Sequence, residues 1–434
     1  MTFSPSWFAI GLVTGLILLL AQLFNQKALV LSLAAILLLN LIGLPRDWLG
    51  KEIYQWLYPL QVNRTSFIAG MVPTILVGAR MLLPAPLLGV IPAALVILIV
   101  NYSYIGILRG VRMGPVDGFL TIALSIITIT TIWTLVHRLT DAWEDFVIVP
   151  RTVALTMAGF LGLTAVQWVY NPDRIITGNT DRFIGVASNP QFVAVLFGIG
   201  LVMVIWLAAN DKRKFLPFYT MLAIPSGVAL LATGSRTGLL MFLLGLCFLG
   251  VRRFGRMILI LPMLGFALML MVQLANAVGL GLPFDRFISG GDTRTVAWST
   301  LIRQFMSSPI IGVGQVDAGY SENSYLLAAA AYGIPSIILL IAFVAASCYL
   351  LLRTMRACAP WPTLNLQCDL ILGTFAAYFA GTLVEGYLVG RVNATLVLIT
   401  AMIATTKILN DRATALNEEQ AWEAEADSAV PAES

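Results

Sequence analysis

Hydrophobic residues fall in long runs separated by short polar connectors, at roughly 7–24, 28–44, 66–83, 87–108, 116–136, 147–170, 190–209, 216–233, 237–251, 257–276, 323–352, 367–388 and 392–409. Several of these thirteen runs reach the roughly 20 residues with which an α-helix crosses a bilayer. The pattern predicts an all-α polytopic membrane protein. The first run, Trp7–Phe24, has neither a basic start nor a small-residue cleavage site, so it reads as a retained helix rather than a signal peptide.

Three connectors are basic: Lys212-Arg213-Lys214, Arg252-Arg253 with Arg256, and Arg353 with Arg356. The positive-inside rule puts all three in the cytoplasm. Segments 171–189, 233–236, 276–322 and 385–391 then fall outside, and the acidic tail inside. Counting back through every run would leave the N-terminus outside, whereas Arg46, Lys51, Arg64, Arg109 and Arg112 favour cytoplasmic loops. One run between 66 and 136 is therefore read as short, re-entrant or miscounted. The expectation is about twelve spans with both termini cytoplasmic. It divides the chain into N-terminal helices at 1–170, a central membrane region with an outer helical subdomain at 171–410, and a tail at 411–434.

Composition agrees. Of the 434 residues 59% are hydrophobic and 11% charged, and the mean hydropathy is +0.88. A soluble globular domain is excluded. The net charge of +4 is uneven, because 411–434 carries −6 and the rest +10. With so little water-exposed length, that excess suits membrane anchoring and anionic lipids, not nucleic acid. Cys247, Cys348, Cys358 and Cys368 avoid the long polar loop, so neither a disulfide framework nor zinc-type spacing is visible. No internal repeat is evident. From about Asn410 the tail reads as solvated and partly disordered.

Candidate chemistry gathers in the outer segments. Within 276–322, Asp292 is placed to cap a helix that runs to about Ser308 and is stopped by Pro309. Trp298, Leu301, Ile302, Phe305 and Met306 form its apolar stripe, for the bilayer or the bundle. Arg294 lies in its first turn and Arg303 on another face. Arg236 stands between two apolar runs, where burial in lipid would cost about 2.5–3.5 kcal/mol and calls for a cavity or a partner. Arg174 and Arg182 occupy 171–189. Arg174 precedes Gly185 by eleven positions, and Arg303 precedes Gly314 by eleven. These arginines suit phosphate oxygens, which a guanidinium binds bidentately; pairing with Asp173, Asp181, Asp285 and Asp292 is the other reading. After this loop, Ser321 can cap an apolar helix that Tyr332-Gly333-Ile334-Pro335 kinks. Glu322 and Asn323 sit at its water boundary with Tyr325 deeper. Glu322 reads either as a functional carboxylate or as a capping acid. His137 reads as structural, on the inner side.

Residues 321–336, SENSYLLAAAAYGIPS, resemble the signature of the O-antigen ligase and polymerase superfamily, in which His-Asn opens a helix and Gly-Ile-Pro-Gly follows. Asn323, Tyr325, Gly333, Ile334 and Pro335 match, Glu322 stands for the His and Ser336 for the last Gly. The doubled Arg-x10-Gly spacing resembles a motif pair of O-antigen polymerases, and the likeness covers roughly 170–345. It implies a GT-C-like bundle in a bacterial inner membrane with its site facing the periplasm. The implied activity moves an undecaprenyl-pyrophosphate-linked oligosaccharide onto an acceptor glycan. Catalytic roles would fall to Glu322, as proton acceptor, and Arg236. Substrate binding would fall to Arg174, Arg182, Arg294, Arg303, Asn323 and Tyr325, without metal or cofactor. Partners would be membrane lipids and the chain-length regulator and flippase of the same pathway. Polymerase is preferred over a ligase to lipid A-core or protein, and over a flippase, which would show repeated halves.

Overall fold

The computed structural model describes residues 4–24, 28–43, 57–81, 91–143, 147–177, 182–254, 293–319, 322–390 and 392–429. The run expected at 257–276, together with Arg46, Lys51, Asp292 and Ser321, lies outside these residues.

Helices follow one another as α1 (Pro5–Phe24), α2 (Ala28–Leu41), α3 (Tyr58–Met81), α4 (Ala93–Met113), α5 (Pro115–Trp143), α6 (Ile148–Tyr170), α7 (Pro190–Asn210), α8 (Leu216–Ala232) and α9 (Arg236–Phe254). After them come α10 (Thr293–Ser307), α11 (Gln315–Ala318), α12 (Ser324–Cys358), α13 (Pro362–Thr382) and α14 (Ala394–Ala429). Eight described helices are long and apolar enough to cross a membrane, which makes this an all-α multi-pass membrane protein. Among the described residues the β-type pairings are isolated bridges, Ile42 with Ala187 and Ile176 with Phe183.

Small residues let the helices approach closely, as packing inside lipid requires. A Cβ on Gly118 of α5 would lie 2.5 Å from the Cα of Gly110 on α4. One on Gly198 of α7 would lie 2.7 Å from the carbonyl oxygen of Gly238 on α9. The second contact fixes α9 beside α7, and so sets Thr237 near Gln191. Phe160, Phe197, Phe343 and Phe375 are fully buried between these helices.

The bundle has two ends. One carries Lys212–Lys214; there Arg151 pairs with Asp211 at 2.6 Å, Arg138 donates to the Ala79 carbonyl at 3.3 Å, and Trp361 to Asn417 at 2.9 Å. The other carries the arm 293–319. Arg109 reaches the arm through Gln315 at 2.9 Å, and Arg112 through the carbonyls of Ile311 at 2.9 Å and Gly312 at 2.7 Å. At the same end Gln61 donates to the Gly43 and Val186 carbonyls, Arg64 to those of Asn40 and Ile42, and the Ser4 amide to Ser66 at 3.0 Å.

This geometry corrects the expected topology of the first half. Arg64, Arg109 and Arg112 lie at the arm end, opposite Lys212–Lys214, and the N-terminal residues of α1 lie there with them. The described helices place the start of α1 and the far end of α14 at opposite ends of the bundle, and eight of them are long and apolar enough to span. The physical reason is local: these guanidinium groups are occupied by backbone carbonyls and Asp117, so they do not act as topology signals.

On α10, Ala297 and Leu301 are buried against the bundle, while Ile302 and Met306 of the expected stripe are exposed. One further expectation changes. From Asn410 to Ala429 the tail is helical, because α14 continues without a break. Its Ala- and Glu-rich composition favours helix, and Asn417 ties it to the Ala357 carbonyl at 3.0 Å.

Candidate active site

The start of α12 is built around a break. Asn323 is the N-cap; its φ is 69°, and its side-chain oxygen accepts from the amides of Tyr325 and Leu326. That replaces the cap expected at Ser321 and sets Glu322 just outside the helix. Ten residues on, Gly333 adopts φ 77° and ψ −169°, and Pro335 has no amide to donate. The carbonyls thus freed are all taken up. Ala330 accepts from the Val313 amide at 2.8 Å, and Ala331 from the Gly314 amide at 3.0 Å. Arg112 also donates to Ala331, at 3.1 Å, and the Tyr104 hydroxyl to Tyr332 at 2.9 Å. The Ile334 amide donates outward, to Pro309 at 2.8 Å. Each such group left unmet would cost about 1–3 kcal/mol. A Cβ on Gly333 would stand 2.1 Å from the Ile310 carbonyl oxygen, so only glycine lets the arm this close. Below the break, buried Ser336 donates to Asn101 at 2.9 Å.

This splice presses α10 onto α12, and the Ala297–Leu301 face carries Arg294 inward. There Arg294 meets Glu385, in the connector between α13 and α14. The Arg294 guanidinium lies 3.4 Å from the carboxylate and donates to Thr237 at 2.9 Å. Thr237, in the first turn of α9, donates to Glu385 at 2.9 Å. Gln191, with its amide nitrogen turned to the carboxylate, donates to both oxygens. Ser324, the first residue of α12, donates to the Glu385 carbonyl at 2.6 Å and fixes the connector. Arg182 is buried and donates to the Thr233 carbonyl at 2.5 Å.

Glu385 is 5% exposed. Burial raises its pKa from 4.5 to about 7, against the lowering effects of the Thr237 hydrogen bond and the Arg294 charge; Glu322 pushes it up and Arg182 down. A carboxylate that is half protonated near neutral pH, held beside two guanidinium groups, suits proton transfer next to an anion.

Of the residues singled out from sequence, Arg182, Arg294 and Glu322 converge on Glu385. Asn323 acts through the backbone as the cap, and Tyr325 shares a hydrogen bond with Thr382 at 3.1 Å. Arg236 opens α9 beside Thr237 and is exposed. Gly234, at φ 57°, turns the chain just before it, at the end of the bundle. Arg174 and Arg303 do not reach Glu385. Arg174 lies in the turn Pro172–Ile175, where burial lowers its pKa and Asp173 raises it, and Arg303 is exposed and donates to Thr300 on its own helix. In both Arg-x10-Gly spacings the glycine has positive φ, 54° at Gly185 and 99° at Gly314.

Sequence reasoning missed Glu385, Thr237 and Gln191. A signal existed for Glu385, a lone acid near the end of the apolar run 367–388. Compared with known proteins, the chain matches no family model and no curated protein.

Proposed function

We propose that this protein is a metal-independent glycosyltransferase of a bacterial inner membrane, with its site facing the periplasm. It would polymerise undecaprenyl-pyrophosphate-linked oligosaccharide repeat units onto an acceptor glycan. The observation that carries this reading is the convergence of Arg294, Arg182 and Glu322 on buried Glu385, at the helix start that bears the superfamily-like signature. The GT-C-like architecture implied by that signature belongs to the same reading.

In the proposed reaction the acceptor hydroxyl oxygen attacks the anomeric carbon of the donor sugar. The bond from that carbon to the pyrophosphate oxygen breaks, and polyprenyl pyrophosphate leaves with the electron pair. The hydroxyl proton passes to the Glu322–Glu385 pair. Glu385 is the member tuned to about 7, where a general base combines availability with driving force. This shifts the base role from Glu322 alone to the pair. Glu322 tunes the pair through its charge. Arg236, exposed at the mouth, and the outward edge of Arg294 stabilise the charge on the departing phosphates, which a planar guanidinium can grip bidentately.

Deleting the gene in its host tests the reading. A polymerase leaves single repeat units on the lipid carrier at the periplasmic face. Finished polymer stranded on the carrier would instead mark a ligase, and units held at the cytoplasmic face a flippase; either result overturns the polymerase assignment.

A further inference from the structure

The helix that carries Arg294, α10, presents three faces. It spans 15 residues, a length of roughly 22 Å. Ala297 and Leu301 are buried against the bundle. Next to them runs an apolar flank, with Trp298 and Phe305 half-buried and Ile302 and Met306 exposed. Beyond that flank lies a polar crest of Ser299, Arg303 and Ser307, spaced four apart and exposed. Val296 is the apolar exception on the crest side.

The depth of α10 follows from the helices that hold its two ends. Just past its last turn, the Pro309 carbonyl accepts from the Ile334 amide at 2.8 Å, beside the break at Gly333. Gly333 lies twenty residues before Arg353, and no charged residue intervenes. That rise, at most roughly 30 Å, matches the thickness of the hydrocarbon core. At the other end, Arg294 meets Thr237 of α9 and, across Glu385, Gln191 of α7. Thr237 stands fifteen residues from Arg252, and Gln191 nineteen from Asn210 beside Lys212. These rises are at most roughly 22 and 29 Å. Both ends of α10 therefore sit near one height above the basic end, the limit of the hydrocarbon. A helix about 22 Å long that joins them runs along that limit, not away from it.

The apolar flank also runs into surface that faces lipid. Arg112 donates to the Ile311 and Gly312 carbonyls, which brings exposed Ile310 and Ile311 level with exposed Val111 of α4 and Val116 of α5. An apolar flank beside a polar crest, on a helix parallel to the boundary, is how a helix seats in the headgroup region. Arg303 can extend its guanidinium to the headgroups. A docking face for another protein would have no reason to lie at this height or to continue onto α4 and α5.

We propose that α10 and the turn after it are seated in the bilayer leaflet at the arm end. Ile302, Met306 and Ile310 lie among acyl chains, and Ser299, Arg303 and Ser307 face water. The bilayer is thus the partner of this face, and it holds in place the helix that brings Arg294 to Glu385. The inference stands independently of the transfer reaction.

Wild-type protein tests it directly. Nanodiscs of phosphatidylcholine containing a lipid with a diazirine in its acyl chain are irradiated, and the adducts are located by mass spectrometry. Adducts are expected on Ile302, Met306 and Ile310, as on exposed Phe119 of α5, and not on Ser299, Arg303 or Ser307. For depth, nitroxides are attached at Met306 and at Arg303 after the four native cysteines are replaced by alanine. The Met306 label should lie roughly 5–10 Å below the headgroups and be relaxed more by oxygen than by a water-soluble nickel complex, the Arg303 label the reverse. Should the labelled variants fail to fold, the adducts on wild-type protein decide alone. Three results would each overturn the proposal. They are no adducts at 302–311 while Phe119 is modified, adducts on flank and crest alike, and a Met306 label shielded from both oxygen and nickel, as a second copy or another protein would shield it.

Discussion

Replacing Glu385 by glutamine is expected to stabilise the protein and to inactivate it. The carboxylate is held at a pKa of about 7 against an ordinary 4.5. Below pH 4.5 it is protonated in both folded and unfolded chains and makes no difference. As pH rises from 4.5 towards 7 the unfolded chain ionises first, and the folded state loses relative stability. Above 7 the loss is complete. At 1.36 kcal/mol per pKa unit it amounts to about 3 kcal/mol. Glutamine keeps the shape and the Thr237 contact without the buried charge, and Arg294, about a third exposed, can turn to water. Thermal unfolding in nanodiscs at pH 5, 7 and 9 is the assay. The variant should gain nothing over wild type near pH 4.5 and roughly 3–6 °C at pH 9, scaled from smaller domains. Transfer should fall by about 10²–10⁴, as for loss of a general base. A variant less stable than wild type at pH 9, or a difference that does not grow with pH, would refute the reasoning.

Four further outcomes are expected. Glu322→Gln removes a like charge from Glu385, so the acid limb of the pH–rate profile moves to lower pH while activity persists; an unshifted limb separates the two carboxylates. Arg236→Ala abolishes polymer formation with the protein still in the membrane, and Arg236→Lys recovers little because it lacks the planar fork; chain length on gels reads both. Gly333→Ala meets the Ile310 carbonyl and a positive φ together, and should cost more than about 2 kcal/mol and open 309–314 to limited proteolysis. Cysteines at Ser4 and Arg303 should react with an impermeant thiol reagent from the same side of sealed vesicles, and one at Lys212 from the other.

Much of the outer arm was legible from local chemistry. The C-terminal bound of α10, Ser307, falls two residues before the Pro309 expected to stop it, and the break at Gly333 and Pro335 follows from backbone stereochemistry alone. What a sequence does not reveal is who answers the freed carbonyls. Arg112 and Tyr104 do so from a helix more than 200 positions earlier. Arg109 and Arg112 also misled the topology reading, since counting charges near a span ignores charges already committed to carbonyls or to Asp117. Glu385 was hidden for a related reason. Its burial and its near-neutral pKa come from α7, α9, α10 and α12 together, none of which is its sequence neighbour. Arg174 and Arg303 illustrate the converse: even spacing selected two turn glycines, while the arginines whose charges act on the carboxylate, Arg182 and Arg294, carry no such mark.

The spliced break in α12 also bears on how the chain is made. Every group that completes it, from Tyr104 and Arg112 to Pro309, Val313 and Gly314, precedes residue 330 in the sequence. When ribosomal synthesis delivers α12 to the membrane, its upper turns enter with several backbone groups open, a state lipid does not tolerate. The groups that close them have already been synthesised. Direction of synthesis thus does for this helix what its own sequence cannot, supplying a prepared seat at the moment of insertion. A permuted chain that begins at residue 322 would present the same helix with nothing yet made to receive it.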